Sequence, residues 1–181
     1  MNQYCNKLNF SVQVTADLSV YKLDHRNHIR VSKNIMGDKL NEILLSVGVK
    51  LFWVEAFYLG KNSDHTIHCD GHELDNKAKL NYIVGGKNSV MTWYEPIDNN
   101  KIEKRLSKAN TIYLGINTSD VIETFSKHME GFYLVNVGKF HNVWNKEDDR
   151  YCLSACLIDS ISNYRLSFTE LQERLKDYIN D

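Results

Sequence analysis

Short apolar segments, each bounded by polar or turn-forming residues, follow one another through most of this chain and restrict it to a fold built mainly from β-strands. Their length and their content of β-branched and aromatic residues are typical of strands. The segments predicted as strands are residues 50–60, 78–86, 89–96, 110–117, 120–127, 132–138 and 150–159. Only two segments have a helical pattern. Many short strands with few helices favour a double-sheet jelly roll, which brings residues from separate strands together at the mouth of a barrel.

The two predicted helices carry clear end signals. Residues 38–47 repeat apolar side chains at helical spacing, with Asp38 placed to cap the start and Gly48 suited to the position after the end. The last helix begins at Ser167, where the sequence Ser-Phe-Thr-Glu forms a capping box, and its apolar face extends to Ile179. We expect this helix to pack on the outside of a sheet.

Three residues of metal-ligand type stand out. In an extended strand side chains alternate between faces, so His68 and Asp70 project to one side with their Cα atoms about 6.6 Å apart, and Cys69 points to the other side. His141, just beyond a distant apolar strand, would supply a second imidazole. Two imidazoles and a carboxylate on one face of a metal leave the opposite positions open, which is typical of non-haem Fe(II) oxygenases. The pattern predicts a metal site of these three ligands.

A basic residue follows the distal histidine. Arg150 stands nine positions after His141 and opens the apolar segment of residues 150–159. A buried guanidinium requires an anionic partner, and its planar fork matches a carboxylate with two hydrogen bonds. The alternative is a surface ion pair with one of the acidic residues 147–149, which contributes little. The apolar strand that begins at Arg150 favours the buried interpretation.

In the order His-x-Asp, distal histidine, then arginine, the chain resembles the Fe(II)/2-oxoglutarate-dependent dioxygenases, especially their small phage-type and aspartyl/asparaginyl-hydroxylase-like members, over roughly residues 54–159. The resemblance implies a double-stranded β-helix with Fe(II) held by His68, Asp70 and His141. It also implies 2-oxoglutarate as cosubstrate, with its far carboxylate on Arg150, and O₂ as the oxidant. The expected activity is hydroxylation of a small-molecule or peptidyl substrate.

Four further positions bear on the cosubstrate. Many members of the family carry a serine two positions after the arginine, where this chain has Cys152, with Ser154 on the same strand face. A thiol is a poorer hydrogen-bond partner for a carboxylate than a hydroxyl. The resemblance also places Tyr58 and Asn81 in segments that border 2-oxoglutarate, so both are predicted to contact it.

Two other histidines flank the motif. His65 has the opposite strand parity to His68, so we expect it in a loop or in the wall of a pocket. His72 follows Gly71 in a polar segment, and we expect it to lie outside the set of metal ligands.

Composition predicts one cytoplasmic domain over residues 1–181. With 43% hydrophobic residues a chain of this length can bury around 70% of its unfolded surface without disulfides or a structural metal. The net charge of −1, with charges interspersed, offers no basic stripe for duplex nucleic acid. Four cysteines without a CxxC pair favour reduced thiols. No signal-like or membrane-spanning apolar run occurs, so we expect no membrane association.

Two other function classes stay open on the sequence alone. A cupin-like metal enzyme, such as an isomerase or a hydrolase, would hold its metal with the same three ligands and use Arg150 structurally. A non-catalytic binding module would retain only the barrel, although it has no need of all three ligands. The pattern leaves the fold of residues 1–35, the oligomeric state and the primary substrate open, whether amino acid, peptidyl side chain or small metabolite.

Overall fold

Two seven-stranded antiparallel sheets make up most of residues 1–12, 14, 17–22, 28–71, 74–107 and 112–180, the part of the chain that the computed structural model describes. The strands are β1 (Cys5–Leu8), β2 (His28–Val31), β3 (Val49–Leu59), β4 (Ser63–Asp64), β5 (His68–Cys69), β6 (Ala78–Gly85), β7 (Val90–Pro96), β8 (Glu103–Leu106), β9 (Ile112–Gly115), β10 (Val121–His128), β11 (Gly131–Asn136), β12 (Phe140–Asn145), β13 (Arg150–Asp159) and β14 (Ile179–Asn180). The helices are α1 (Asp38–Ser46) and α2 (Phe168–Arg174), with 3-10 turns at Leu18–Tyr21, Lys33–Met36, Asn99–Lys101, Thr118–Asp120 and Lys176–Tyr178.

The two sheets interleave strands that are distant in sequence. The first sheet has the order β14-β1-β11-β6-β13-β3-β2, and the second has the order β10-β7-β12-β5-β9-β8 with β4 beside β12. Consecutive strands such as β6 and β7, or β11 and β12, therefore lie in different sheets. This alternation is the jelly roll, and it confirms the predicted mainly β, double-stranded β-helix fold with a few flanking helices.

Strand β13 shows how the sequence pattern sorts the two faces of the first sheet. Leu153, Ala155 and Leu157 belong to a large apolar cluster that α1 and α2 cover. Arg150, Cys152 and Ser154 alternate with the first two of these and face the space between the sheets. The strand is apolar on one face and mixed on the other because only one face is sealed by helices.

The predicted helices form with corrected ends. Gly37, and not Asp38, is the N-cap of α1, and Asp38 is its first helical residue. The capping box of α2 is present, since Ser167 and Glu170 exchange side-chain and backbone hydrogen bonds. The extension of this helix to Ile179 was wrong, because Ile179 pairs with Leu8 at the edge of the first sheet.

The prediction for residues 132–145 also needs correction. The segment forms two strands, β11 and β12, which belong to different sheets, and His141 lies within β12 instead of beyond a strand. Gly138 lies in the connection, where the backbone passes so close to Asp75 that a side chain would collide with it. Within the described part of the chain, each helix is too short or too polar to cross a membrane.

Candidate metal centre

The predicted ligands meet on neighbouring strands of the second sheet. His68 on β5 and His141 on β12 are direct partners across the antiparallel pair, and their ring centroids are 4.6 Å apart. Asp70 follows β5, and its backbone N–H donates to the carbonyl oxygen of Val137 at 2.9 Å. The ligand atoms of the three residues lie within 4.8 Å of one another. The sheet therefore brings together a group that can hold one metal ion.

Backbone carbonyls orient both imidazoles. The Nδ1 atom of His68 lies 2.7 Å from the Thr66 carbonyl oxygen, and the Nδ1 atom of His141 lies 2.8 Å from the Lys139 carbonyl oxygen. A carbonyl only accepts, so each Nδ1 carries the hydrogen, and in the neutral ring Nε2 then has the lone pair. This outer hydrogen bond is the usual way in which proteins prepare a histidine ligand.

The charge states within the group suit a divalent cation. Burial alone would raise the pKa of Asp70, but Lys79 and His68 hold it well below its ordinary value. Burial and the neighbouring His68 lower the pKa of His141 to about 4. Burial opposes a charge on His68, whose pKa is nevertheless raised because Asp70 Oδ1 lies 3.5 Å from its Nε2. An ionised carboxylate and a neutral imidazole are the forms that bind metal. A bound cation would therefore displace the second ring proton of His68.

A small cavity of about 70 Å³ lies between the sheets next to these residues. The second sheet contributes His68 and His141 to its wall, and the first sheet contributes side chains from β3, β6 and β13. Its polar wall residues from the first sheet are Lys79, Asn81, Arg150 and Ser154.

Arg150 is buried in this cavity, with no acidic partner among the described residues. Only 6% of its surface is exposed, and burial lowers the pKa of its guanidinium. Among the residues that the structure describes, no carboxylate lies within ion-pair distance of it, and its Nε has no hydrogen-bond partner. Asp149 pairs with Lys22 and accepts from the Tyr58 hydroxyl, so the alternative of a surface ion pair with Arg150 does not hold there. A buried guanidinium in this position can accept an anionic ligand.

Asn81 and Tyr58, which were both predicted to contact the cosubstrate, lie on different faces of the first sheet. Asn81 lines the cavity, and its Oδ1 accepts a hydrogen bond of 2.7 Å from Ser154. Tyr58 does not line it, so its predicted contact with a cosubstrate is not supported. Strand residues alternate, and it is the neighbouring Phe57 that lies in the cavity wall.

Cys69 faces away from the ligands as its strand parity predicts, and His65 lies in a pocket wall, one of the two places expected for it. The Cys69 thiol donates to the Gly138 carbonyl oxygen at 3.3 Å and packs in a separate apolar cluster, away from the metal ligands. His65 lies in the cavity wall, 6.4 Å from the His68 ring. His72 lies outside the described residues.

The side chains around Asp70 include two that the sequence pattern did not predict, Lys79 and Glu55. Lys79 Nζ lies 2.8 Å from Asp70 Oδ2 and 3.2 Å from Glu55 Oε2. The signal in the sequence was that Lys79 interrupts an apolar segment and stands two positions before Asn81, so both side chains lie on the same face of the strand. A charged residue on the inner face of a strand is rare unless it is paired.

No family model matches this chain, and no curated protein matches it. HygX from Streptomyces hygroscopicus, with nickel and 2-oxoglutarate bound, is similar in structure with a TM-score of 0.43 and 11% identity, over 82% of this chain and 76% of HygX. A cupin 2 domain-containing protein from Halorhodospira halophila aligns with a TM-score of 0.31 and 8% identity, over 86% of this chain and 85% of that protein. Peruvianin-I, a cysteine peptidase from Thevetia peruviana latex, aligns with a TM-score of 0.35 and 10% identity, over 77% of this chain and 67% of the peptidase.

Proposed function

We propose that this protein is a non-haem Fe(II)-dependent oxygenase that uses 2-oxoglutarate as cosubstrate and hydroxylates a small molecule or a peptidyl side chain. The observation that carries the proposal is the buried Arg150, which lines one cavity with His68, Asp70 and His141 but comes from the opposite sheet. A metal group at one wall and, at the other, a buried guanidinium with no carboxylate partner among the described residues match the two ends of a 2-oxo diacid.

The donor set fits the metal. Imidazole nitrogens and a carboxylate oxygen suit Fe(II) and other divalent first-row ions, and two histidines with one carboxylate leave positions open for a chelating cosubstrate and dioxygen. When bound, Fe(II) would supply the activation of dioxygen and the oxidative decarboxylation of 2-oxoglutarate to succinate and CO₂, which side chains alone cannot perform.

Arg150 would hold the C5 carboxylate of 2-oxoglutarate. Its planar guanidinium can donate two parallel hydrogen bonds to that group, and burial strengthens them. Burial also raises the pKa of the adjacent Cys152, so this thiol stays neutral and does not repel the carboxylate. Asn81 and Ser154 lie in the same wall and offer further polar atoms close to the ligand.

Apolar side chains complete the cavity. Phe57 comes from the first sheet, Met91 and Val143 come from the second, and Val137 comes from the connection before β12. These groups would pack on the carbon chain of the diacid and keep bulk water from the reacting atoms. The cavity thus separates one end that binds metal from one end that binds carboxylate.

An anaerobic titration tests this proposal. Adding Fe(II) and then 2-oxoglutarate to the protein should produce the weak visible charge-transfer band of the metal chelate. His68→Ala and His141→Ala should each abolish the band, because each removes a metal ligand. His128→Ala is the matched control, since His128 is an exposed histidine bonded to the Ser89 carbonyl oxygen.

The outcomes separate the function classes. Fe(II) binding that needs His68 and His141 but is indifferent to 2-oxoglutarate would contradict the oxygenase and support a cupin-like isomerase or hydrolase. Absence of metal binding in the native protein would leave a binding module. A band that survives either histidine substitution would show that the ligands are wrongly assigned.

A further inference from the structure

Lys79 joins two carboxylates at the edge of the metal group. Its Nζ lies 2.8 Å from Asp70 Oδ2 and 3.2 Å from Glu55 Oε2, and only 11% of its side-chain surface is exposed. Lys79 therefore bridges Glu55 to Asp70, and two of these three side chains, Asp70 and Lys79, line the cavity. Such a partly buried polar network is more defined than a loose surface pair.

The network is anchored in the first sheet and reaches the second. Glu55 on β3 and Lys79 on β6 lie on either side of β13, so their contact spans the strand between them. The Lys79 ammonium also lies 5.6 Å from the centre of the Phe57 ring, in a cation–π contact. Asp70, which follows a strand of the second sheet, receives the other side of the ammonium.

The two carboxylate oxygens of Asp70 have different neighbours. Oδ2 lies 2.8 Å from Lys79 Nζ, while Oδ1 lies 3.5 Å from His68 Nε2. A carboxylate can bind a metal through one oxygen or through both, and the second mode occupies one more coordination position. An ammonium 2.8 Å from Oδ2 would repel a metal cation at that oxygen, so the metal is favoured at Oδ1.

We propose that Lys79, held in place by Glu55, is a positioning residue that makes Asp70 a single-oxygen metal ligand. The inference rests on the proposed metal site and deepens it. Single-oxygen ligation keeps open the coordination positions that a chelating cosubstrate and dioxygen need. Lys79 acts through Asp70, and Glu55 acts through Lys79.

Charge and position can be separated by substitution. Lys79, Glu55 and Asp70 carry a combined formal charge of −1. Lys79→Met together with Glu55→Gln removes one positive and one negative charge. The sum therefore stays −1, while the contact of Lys79 with Asp70 is lost. Glu55→Gln alone keeps the ammonium on Asp70 but removes its support. Lys77→Met is the matched control, because Lys77 pairs with Asp75 and not with Asp70.

Co(II) is the probe, since its visible spectrum reports coordination number and its binding can be measured without turnover. The double variant should bind Co(II) about 10- to 100-fold more weakly than the native protein, the usual effect of losing a partner of a metal ligand. Its Co(II) spectrum should also change in intensity, because Asp70 can then use both oxygens. Glu55→Gln should give a smaller change in the same direction, and Lys77→Met should give none. Lys79→Arg, which restores a cation, should recover part of the affinity.

The result that overturns the inference is a folded double variant with native Co(II) affinity and a native spectrum. A double variant that keeps native Co(II) binding but loses 2-oxoglutarate would also overturn it, since Lys79 would then contact the cosubstrate. If the double variant does not fold, Glu55→Gln decides alone, and a native Co(II) spectrum in it contradicts the proposal. A native protein that binds no Co(II), or binds it equally well after His68→Ala, contradicts the metal centre itself.

Discussion

The Arg150 side chain passes so close to Gly86 that a Cβ on Gly86 would lie 2.7 Å from the Arg150 Cβ and 2.8 Å from its Cγ. Gly86 also has a φ of +67°, in the left-handed region that favours glycine. The turn between β6 and β7 therefore leaves the space through which the buried guanidinium reaches the cavity. The sequence feature responsible is the Gly-Gly pair that ends β6.

Gly86→Ala should destabilise the protein by about 1–3 kcal/mol, since it combines a strained backbone with an overlap. It should also weaken 2-oxoglutarate binding by displacing Arg150. Gly131→Ala is the control, because Gly131 has a φ of +80° with no atom within 4 Å of the added Cβ. Urea unfolding and cosubstrate titration of both variants measure the difference. Equal losses in the two variants would mean that the contact with Arg150 has no effect.

Arg150→Ala should leave Fe(II) affinity nearly unchanged and weaken 2-oxoglutarate. Losing a buried charge-assisted contact costs about 2–5 kcal/mol, which corresponds to roughly 30-fold to several-thousand-fold in affinity. Arg150→Lys should recover only part of this, since lysine lacks the planar fork. Anaerobic calorimetry measures both affinities, and Arg105→Ala, at an arginine paired with Glu103, is the control. Native 2-oxoglutarate affinity in a folded Arg150→Ala protein would refute the oxygenase assignment.

Stability should fall as the pH drops below about 6.5, the ordinary pKa of histidine. Burial, and then His68 and Arg150, lower the pKa of His65 to about 3, and burial with His68 lowers that of His141 to about 4. Between these values and about 6.5 the unfolded chain binds protons that the folded protein does not, so the free energy of unfolding rises with pH.

Each such histidine contributes a slope of about 1.4 kcal/mol per pH unit in the lower part of this range. His65→Gln should reduce the slope of the free energy of unfolding against pH by the contribution of this one histidine. Urea unfolding at a series of pH values measures it, with His128→Gln as the exposed control. A His65→Gln protein with an unchanged acid slope would show that His65 is protonated in the folded state.

Ser167→Ala should cost about 0.5–2 kcal/mol, because the side chain caps α2 by accepting from the Glu170 backbone N–H. Thermal or urea unfolding measures the loss. Ser11→Ala, at an exposed serine outside the strands and helices, should stay within about 0.5 kcal/mol of the native protein. Metal binding should be unaffected in both, since α2 packs on the outer side of the first sheet. A Ser167→Ala protein as stable as the native one would show that the cap contributes nothing.

Local patterns were sufficient to predict most of the strands and the meeting of the three ligands. The capping box at Ser167 depends on four consecutive residues, so sequence alone identifies it. His68 and Asp70 share a face by strand parity, and the family order of residues led to His141. The bounds of β13 were also predictable, because an apolar run between charged residues sets them.

Features that depend on strand order were not predictable from one sequence. The contact of Lys79 with Glu55 requires β6 and β3 to flank β13. Local sequence patterns do not predict this strand order. Tyr58 was chosen where Phe57 lines the cavity, because a shift of one residue turns a strand side chain to the other face. The end of α2 was missed because pairing of Ile179 with β1 competes with further helix.

Under the proposed function, His68 and His141 on one sheet would bind the metal and Arg150 on the other would bind the far carboxylate, so the distance between the sheets would select the length of the ligand. Packed sheets lie about 10 Å apart, a spacing set by the side chains between them. Ile83 and Met91, one from each sheet, belong to the apolar cluster that fills this gap. A shorter diacid would fail to reach both walls and a longer one would have to buckle, so the choice of cosubstrate would depend on core packing instead of on the loops at the mouth.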